Sequence, residues 1–294
     1  MFVQQKTIYS REEFLGALER SGFTIKTFSL HSIGNYTKED AIWNYRDAIS
    51  HLSHLHPQVN NIPLLVQERQ LISVFIQKLF FFKVPLTVVD QLTDPYTQST
   101  FTHCFFFSLF VENRCQELAG DRCEVITTYD LGMPRLLGWT FPLLKWVLTK
   151  NYHKLMLTDI PCRERRGELR HWGYRFESDH HGYLEARNIH LNNALPPSFT
   201  DSKTQGQWPE NIRDGEAILI GRSDHRGIKL IRRGDWVYLY PRMCPHEGAS
   251  LDAEKPCQNL ALKCPWHGRT VPATEIVPYK NYQERLSLAQ APTT

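Results

Sequence analysis

Cys244-Pro245-His246-Glu247-Gly248 is followed, with 17 residues intervening after His246, by Cys264-Pro265-Trp266-His267-Gly268. Each stretch offers one thiolate and one imidazole, then a glycine. The pattern is C-x-H…C-x-x-H. A glycine at the end of each stretch lets a tight loop form and brings backbone N–H groups close to whatever the loop holds. Pro245 and Pro265 stiffen the start of each loop. Around these loops the chain reads as β-rich. Ala217–Gly221, Gly227–Ile231 and Trp236–Tyr240 are short apolar or alternating runs, separated by the turn signals Ser223-Asp224 and Gly234-Asp235. They predict a small all-β domain.

Two chemistries use two Cys and two His. A [2Fe–2S] cluster with thiolates on one iron and imidazoles on the other needs one ligand of each kind from each loop. A Cys₂His₂ zinc site is the alternative, although zinc fingers usually pair Cys with Cys and His with His. The residues Cys244–Leu251 and Cys264–Gly268 closely resemble the Rieske [2Fe-2S] family, over a span from about Arg213 to Arg285. The resemblance implies that Cys244 and Cys264 ligate the inner iron, and His246 and His267 the outer one. In the cytochrome bc type an extra cysteine in each loop forms a disulfide. The corresponding positions here are Ala249 and Trp266, so the resemblance points to the oxygenase and ferredoxin type. Arg269-Thr270-Val271 departs from the aromatic pattern many oxygenases carry there. Cys257 reads as a loop cysteine, and Cys104, Cys115, Cys123 and Cys162 as core or strand residues.

Composition narrows the remaining possibilities. In 294 residues there are 34 Lys and Arg against 31 Asp and Glu, a net charge of +3. That balance does not suggest a nucleic-acid partner. Seven cysteines are too few for a disulfide scaffold. The N-terminus has no apolar signal-peptide core, and the most apolar stretch, 71–89, is broken by Gln77, Lys78, Lys83 and Pro85. No transmembrane span is expected, and a cytoplasmic location is. The Pro-, Ser- and Gly-containing stretch NNALPPSFTDSKTQGQWPE, 192–210, reads as a linker. The expected organisation is a domain at 1–193, a linker at 194–211 and the all-β domain at 212–294.

The N-terminal region reads as α+β. Ser10 and Glu13 fit a capping box. A helix is expected near Trp43–His56, strands at Thr100–Val111 and Cys123–Tyr129, and a helix at Phe141–Tyr152 that Pro161 interrupts. The Arg-rich segment Asp159–Arg170 reads as a solvated helix laced with ion pairs, or as a docking patch for an acidic electron donor. Element order and the apolar late helix resemble the helix-grip, START-like superfamily, with a curved antiparallel sheet and one long helix. That likeness implies a pocket for a hydrophobic substrate or ligand.

His51 and His56 have H-x₄-H spacing and precede Pro57, similar to the D-x-x-H-x₄-H-P segment of oxygenases that hold a mononuclear Fe(II). The expected Asp is Ala48 here, with Asp47 one place away. Glu177, Asp179 and Glu185 are candidates for a third, carboxylate ligand. No G-x-G-x-x-G or P-loop is present, so electrons are expected from a separate ferredoxin or flavin reductase. The expected function is an oxygenase-like Rieske oxidoreductase. The alternative is a non-catalytic electron-transfer or redox-sensing protein with a lipid- or hydrophobe-binding domain. The oxygenase resemblance also allows a homo-oligomer, a trimer among the forms.

Overall fold

The computed structural model describes residues 10–47, 55–56, 59–79, 82–104, 106–180, 182–183, 208–209 and 211–282. The chain divides into two compact units, 1–164 with 179–186, and 165–178 with 187–294. The expected linker at 194–211 lies almost wholly outside the described residues.

The first unit begins with α1 (Arg11–Arg20) and β1 (Phe23–Gly34), then α2 (Lys38–Arg46) and six strands: β2 (Val59–Val66), β3 (Gln70–Leu79), β4 (Phe82–Asp94), β5 (Thr97–Cys104), β6 (Phe107–Leu118) and β7 (Arg122–Pro134). The strands form one antiparallel sheet in the order β1-β7-β6-β5-β4-β3-β2. Only β1, paired with β7, breaks the simple meander. The long helix α3 (Phe141–His171) follows β7. This is the helix-grip architecture expected from the sequence.

Local chemistry sets the ends of the elements. Ser10 caps α1 and Thr37 caps α2, each with a reciprocal bond from the residue at N3, Glu13 and Asp40. Along the first half of β7, Cys123, Val125, Thr127 and Tyr129 alternate inward, the two-residue period of a strand with one buried face. Phe141, Leu144 and Leu148 of α3 pack against Phe28, Leu109, Tyr129, Leu131 and Met133 of the sheet. Arg11 ties α1 to the sheet through two bonds to the buried Asp130 carboxylate, 2.6 and 2.8 Å, which also accepts from Thr27.

Three sequence expectations need correction. The run Thr100–Val111 is not one strand but the hairpin of β5 and β6, turning between Cys104 and Phe107. The helix near Trp43 ends at Arg46, with Asp47 as its C-cap; 48–54 lie outside the described residues. Pro161 does not stop the late helix, which runs on to His171. Pro161 sits on the exposed side, where water can take the carbonyl that loses its N–H partner.

The second unit holds β8 (Ala217–Ile220), β9 (Ile228–Arg233), β10 (Trp236–Pro241) and β13 (Glu275–Pro278) in one sheet, ordered β13-β10-β9-β8, and the two-stranded β11 (Leu262–Lys263) and β12 (Thr270–Val271). Ile220, Ile228, Leu230, Val237, Leu239 and Val277 fill its core. The last turns of α3 belong to this unit. Leu169 packs with Tyr174, Phe176 and Met243.

Replacing Arg11 by Met strips the buried Asp130 carboxylate of its cation. A hydrogen bond to a charged group contributes about 1.5–3 kcal/mol, and a loss of that order is expected in urea denaturation. An unchanged midpoint would show that the tether carries no stability.

Candidate metal centre

The two ligand loops are built alike. In the first, the Cys244 N–H donates to the Ala249 carbonyl (2.8 Å) and the Gly248 N–H to the Cys244 carbonyl (3.0 Å). In the second, the Cys264 N–H donates to Arg269 (2.7 Å) and the Gly268 N–H to Cys264 (2.8 Å). Gly248 and Gly268 stand at φ 83° and 65°, in the left-handed region open to glycine. Met243 bridges Ser250 at the foot of the first loop, and β11 pairs with β12 at the foot of the second. Each Cys therefore opens a turn that its glycine closes.

The four side chains named from the sequence come together. The Nδ1 atoms of His246 and His267 lie 3.2 Å apart, with the rings at 82° to each other. The thiols of Cys244 and Cys264 face each other within hydrogen-bonding reach. That contact holds the Cys244 thiol below its ordinary range and pushes Cys264 up. Backbone N–H groups of His246 and Glu247 point at the Cys244 sulfur. All four side chains are buried.

This geometry fits two imidazoles that share one metal ion. Two imidazole nitrogens bound to one tetrahedral metal at about 2.0–2.1 Å would stand roughly 3.4 Å apart, close to the separation found. Among the described residues, no three His, Cys, Asp or Glu side chains converge on a single point. A pair of thiolates beside a pair of imidazoles is the division a mixed-ligand [2Fe–2S] cluster needs.

The start of α3's last turns holds the first loop. Arg166, fully buried and stacked on the Phe176 ring at 3.7 Å, pairs with the buried carboxylate of Glu247, next to His246. Arg165 Nε donates to the Gly248 carbonyl (3.2 Å) and Nη1 to Ser223 Oγ (3.1 Å). Arg163, in the first unit, is also fully buried, over the rings of Tyr36 and Tyr45. The solvated-helix reading of 159–170 is therefore corrected in part: Arg163 and Arg166 face inward, Arg163 against Tyr36, Tyr45 and Asp159 and Arg166 against Glu247, while Arg165 keeps an ion pair with Glu168 one turn on.

Cys115, Cys123 and Cys162 are buried, and burial pushes the Cys115 and Cys123 thiols up to about 12 and 11. Cys257 is exposed, and its thiol donates to Asn259 Oδ1.

The first unit contains a cavity of about 210 Å³, between β-strands and the inner side of α3. A polar ladder crosses its floor. The Thr127 hydroxyl donates to Asn113 (2.8 Å), Asn113 to Gln98 (3.0 Å), and Gln98 to Asp90 Oδ1 (3.1 Å), which also accepts from Thr100 (2.5 Å). Burial pushes the Asp90 carboxyl up to about 6, with the Thr100 hydrogen bond opposing. Asn44 Oδ1 lines the same space and has no hydrogen-bond partner among the described residues.

His56 also lines this cavity, with Nε2 2.9 Å from Asp159 Oδ1 on α3. His51 lies outside the described residues, as do Glu185 and the side chain of Glu177. Asp179 accepts from Arg46 through its backbone carbonyl, 2.9 Å away. The carboxylate that meets His56 is Asp159, 103 residues distant in the chain, which sequence spacing alone did not single out.

Residues 207–274 match the family model of the Rieske [2Fe-2S] domain. Residues 207–274 are thus a Rieske [2Fe-2S] domain, and they contain Cys244, His246, Cys264 and His267. No curated protein matches the chain. Solved structures similar to it include a protein from Thermus thermophilus (13% identity, 47% of this chain and 96% of that one, TM-score 0.41). Norcoclaurine synthase from Thalictrum flavum shares 12% identity over 58% of this chain and 98% of that one, TM-score 0.41. An aromatase/cyclase from a Streptomyces species shares 11% over 50% and 96%, TM-score 0.39.

Asp90 yields a pH-dependent prediction. The folded chain keeps this proton up to about pH 6, whereas an unfolded carboxyl releases it near about pH 4. Its contribution is therefore greatest below about pH 4 and is lost as pH rises through 6, by up to about 3 kcal/mol. Asp90→Asn should flatten the stability profile between about pH 4 and 6 and raise stability at pH 8. A variant as pH-dependent as the parent would contradict this assignment.

Proposed function

We propose that the protein is a Rieske-type oxidoreductase of oxygenase-like type, with a catalytic metal in the cavity of its N-terminal domain. His56 and Asp159 would supply two of its ligands, and His51 the third. The observation that carries this reading is the 2.9 Å separation of His56 Nε2 and Asp159 Oδ1 on the cavity wall. Adjacent ligands of one octahedral ion at about 2.1 Å stand roughly 3.0 Å apart, and two His with one carboxylate is the ligand set of non-haem Fe(II) oxygenases. Bound there, Fe(II) would supply oxygen activation, while the cluster supplies electrons one at a time. The chain's own residues hold the metal, shape the pocket and orient the substrate.

Phe75, Val111, Leu155 and Met156 suit a substrate with an apolar body, and Asn44 and Asp90 suit one that also carries a hydrogen-bond donor. A separate ferredoxin or flavin reductase would reduce the cluster, in the cytoplasm. The second reading is an electron carrier with a ligand-binding domain and no mononuclear iron. It is supported by the lack of three converging metal-ligating groups among the described residues.

Metal analysis of anaerobically purified protein separates the two. The proposal expects about three irons and two sulfides per chain. His56→Ala and Asp159→Ala should each release one iron and leave the visible spectrum of the cluster intact. Two irons in the parent chain, unchanged in both variants, would establish the carrier reading instead.

A further inference from the structure

An ordinary helix laid on a sheet is apolar on one side and charged on the other. The first half of α3 breaks this rule. Phe141, Leu144 and Leu148 pack on the sheet, yet the opposite side carries Leu143 and Trp146, each 57% exposed, and Leu157, 77% exposed. The short 3₁₀ turn before it, Arg135–Thr140, adds Leu136 at 89% and Trp139 at 78%. Positions 139, 143, 146, 150 and 157 recur at the three- and four-residue spacing of one helix face. Five large apolar side chains stand along one edge of the unit, an exposed patch of the kind that marks an interaction site.

The charges of this segment are of one sign. From 135 to 158 the sequence has Arg135, Lys145, Lys150 and Lys154, and no Asp or Glu. The Lys150 ammonium lies 5.2 Å from the centre of the Trp146 ring. Its stem runs along apolar surface and its charge stays at the margin, as lysines do at a lipid headgroup layer. Trp combines an apolar body with a polar N–H and favours that same layer. Among the described residues no helix is long and apolar enough to cross a membrane, so the arrangement is that of a segment lying on one. A second copy of the chain fits this face poorly. A two-fold interface would set Lys150 and Lys154 against their own copies without an acidic residue from the segment to offset them.

We propose that the outer face formed by Leu136, Trp139, Leu143, Trp146 and Leu157 docks the protein on an anionic lipid bilayer. The apolar side chains enter the headgroup boundary, and Lys150 and Lys154 meet lipid phosphates or carboxylates. The face would hold the helix-grip unit at the source of an apolar substrate.

Flotation of the full-length holoprotein with vesicles tests this. Phosphatidylcholine vesicles are compared with vesicles that also contain phosphatidylglycerol, and tryptophan emission is recorded in parallel. The expected result is partition onto the anionic vesicles about tenfold or more above the neutral ones, with a blue-shifted emission and a loss at high salt. Trp139→Ser with Trp146→Ser, and separately Lys150→Glu with Lys154→Glu, should each reduce partition by about tenfold, with cluster absorbance unchanged. Absence of the parent protein from the anionic vesicles would overturn the proposal. So would variants of both kinds that float like the parent, or a dimer in solution that the tryptophan changes abolish while vesicles bind neither form.

Discussion

A bridged pair of irons cannot be served by four ligands aimed at one point. It needs two thiolates on one side and two imidazoles on the other, and a chain can meet that demand by crossing the cluster twice with the same short loop. The two turns opened by Cys244 and Cys264 have the form such a crossing calls for, with matching backbone bonds and a left-handed glycine at the end of each. The histidine falls two residues after the first cysteine and three after the second, so the loops are equivalent in backbone and unequal in ligand spacing. The Nδ1 atoms still meet at 3.2 Å. The small sheet around the loops serves chiefly to hold their feet in register.

Burial governs the second layer. Glu247 sits beside His246 with almost no exposure, and an unpaired carboxylate there would be costly. Arg166 removes that cost, and Arg165 fixes the backbone one residue further on. The end of α3 is thereby tied to the cluster loop by charge as well as by the packing of Leu169 and Phe176 with Met243. In the first unit the same principle works in reverse. Asp90 is buried among neutral partners, and its carboxyl answers by holding its proton to higher pH.

What the sequence made legible follows from how local each signal is. Cys244, His246, Cys264 and His267 lie within 244–267, in loops whose spacing made them stand out, and the structure brings their side chains together. The helix-grip outline was readable from an apolar late helix and from strand periodicity. The hairpin between Cys104 and Phe107 was not, because its aromatic turn continues the apolar run of both strands. The inward-facing Arg163 and Arg166 were misread because their partners, Tyr36, Tyr45, Phe176 and Glu247, are remote or carry no spacing rule. Asp159 escaped for the same reason: nothing near His56 in the chain announces a carboxylate on a helix 103 residues away.

Mössbauer spectroscopy of the iron-57-enriched holoprotein, oxidised and then reduced by one electron, tests the division of ligands most directly. Two inequivalent irons in equal amounts are expected, with the added electron localised on the imidazole-bound one. Equivalent irons, a single iron, or a colourless protein without iron would contradict the arrangement on which this account rests.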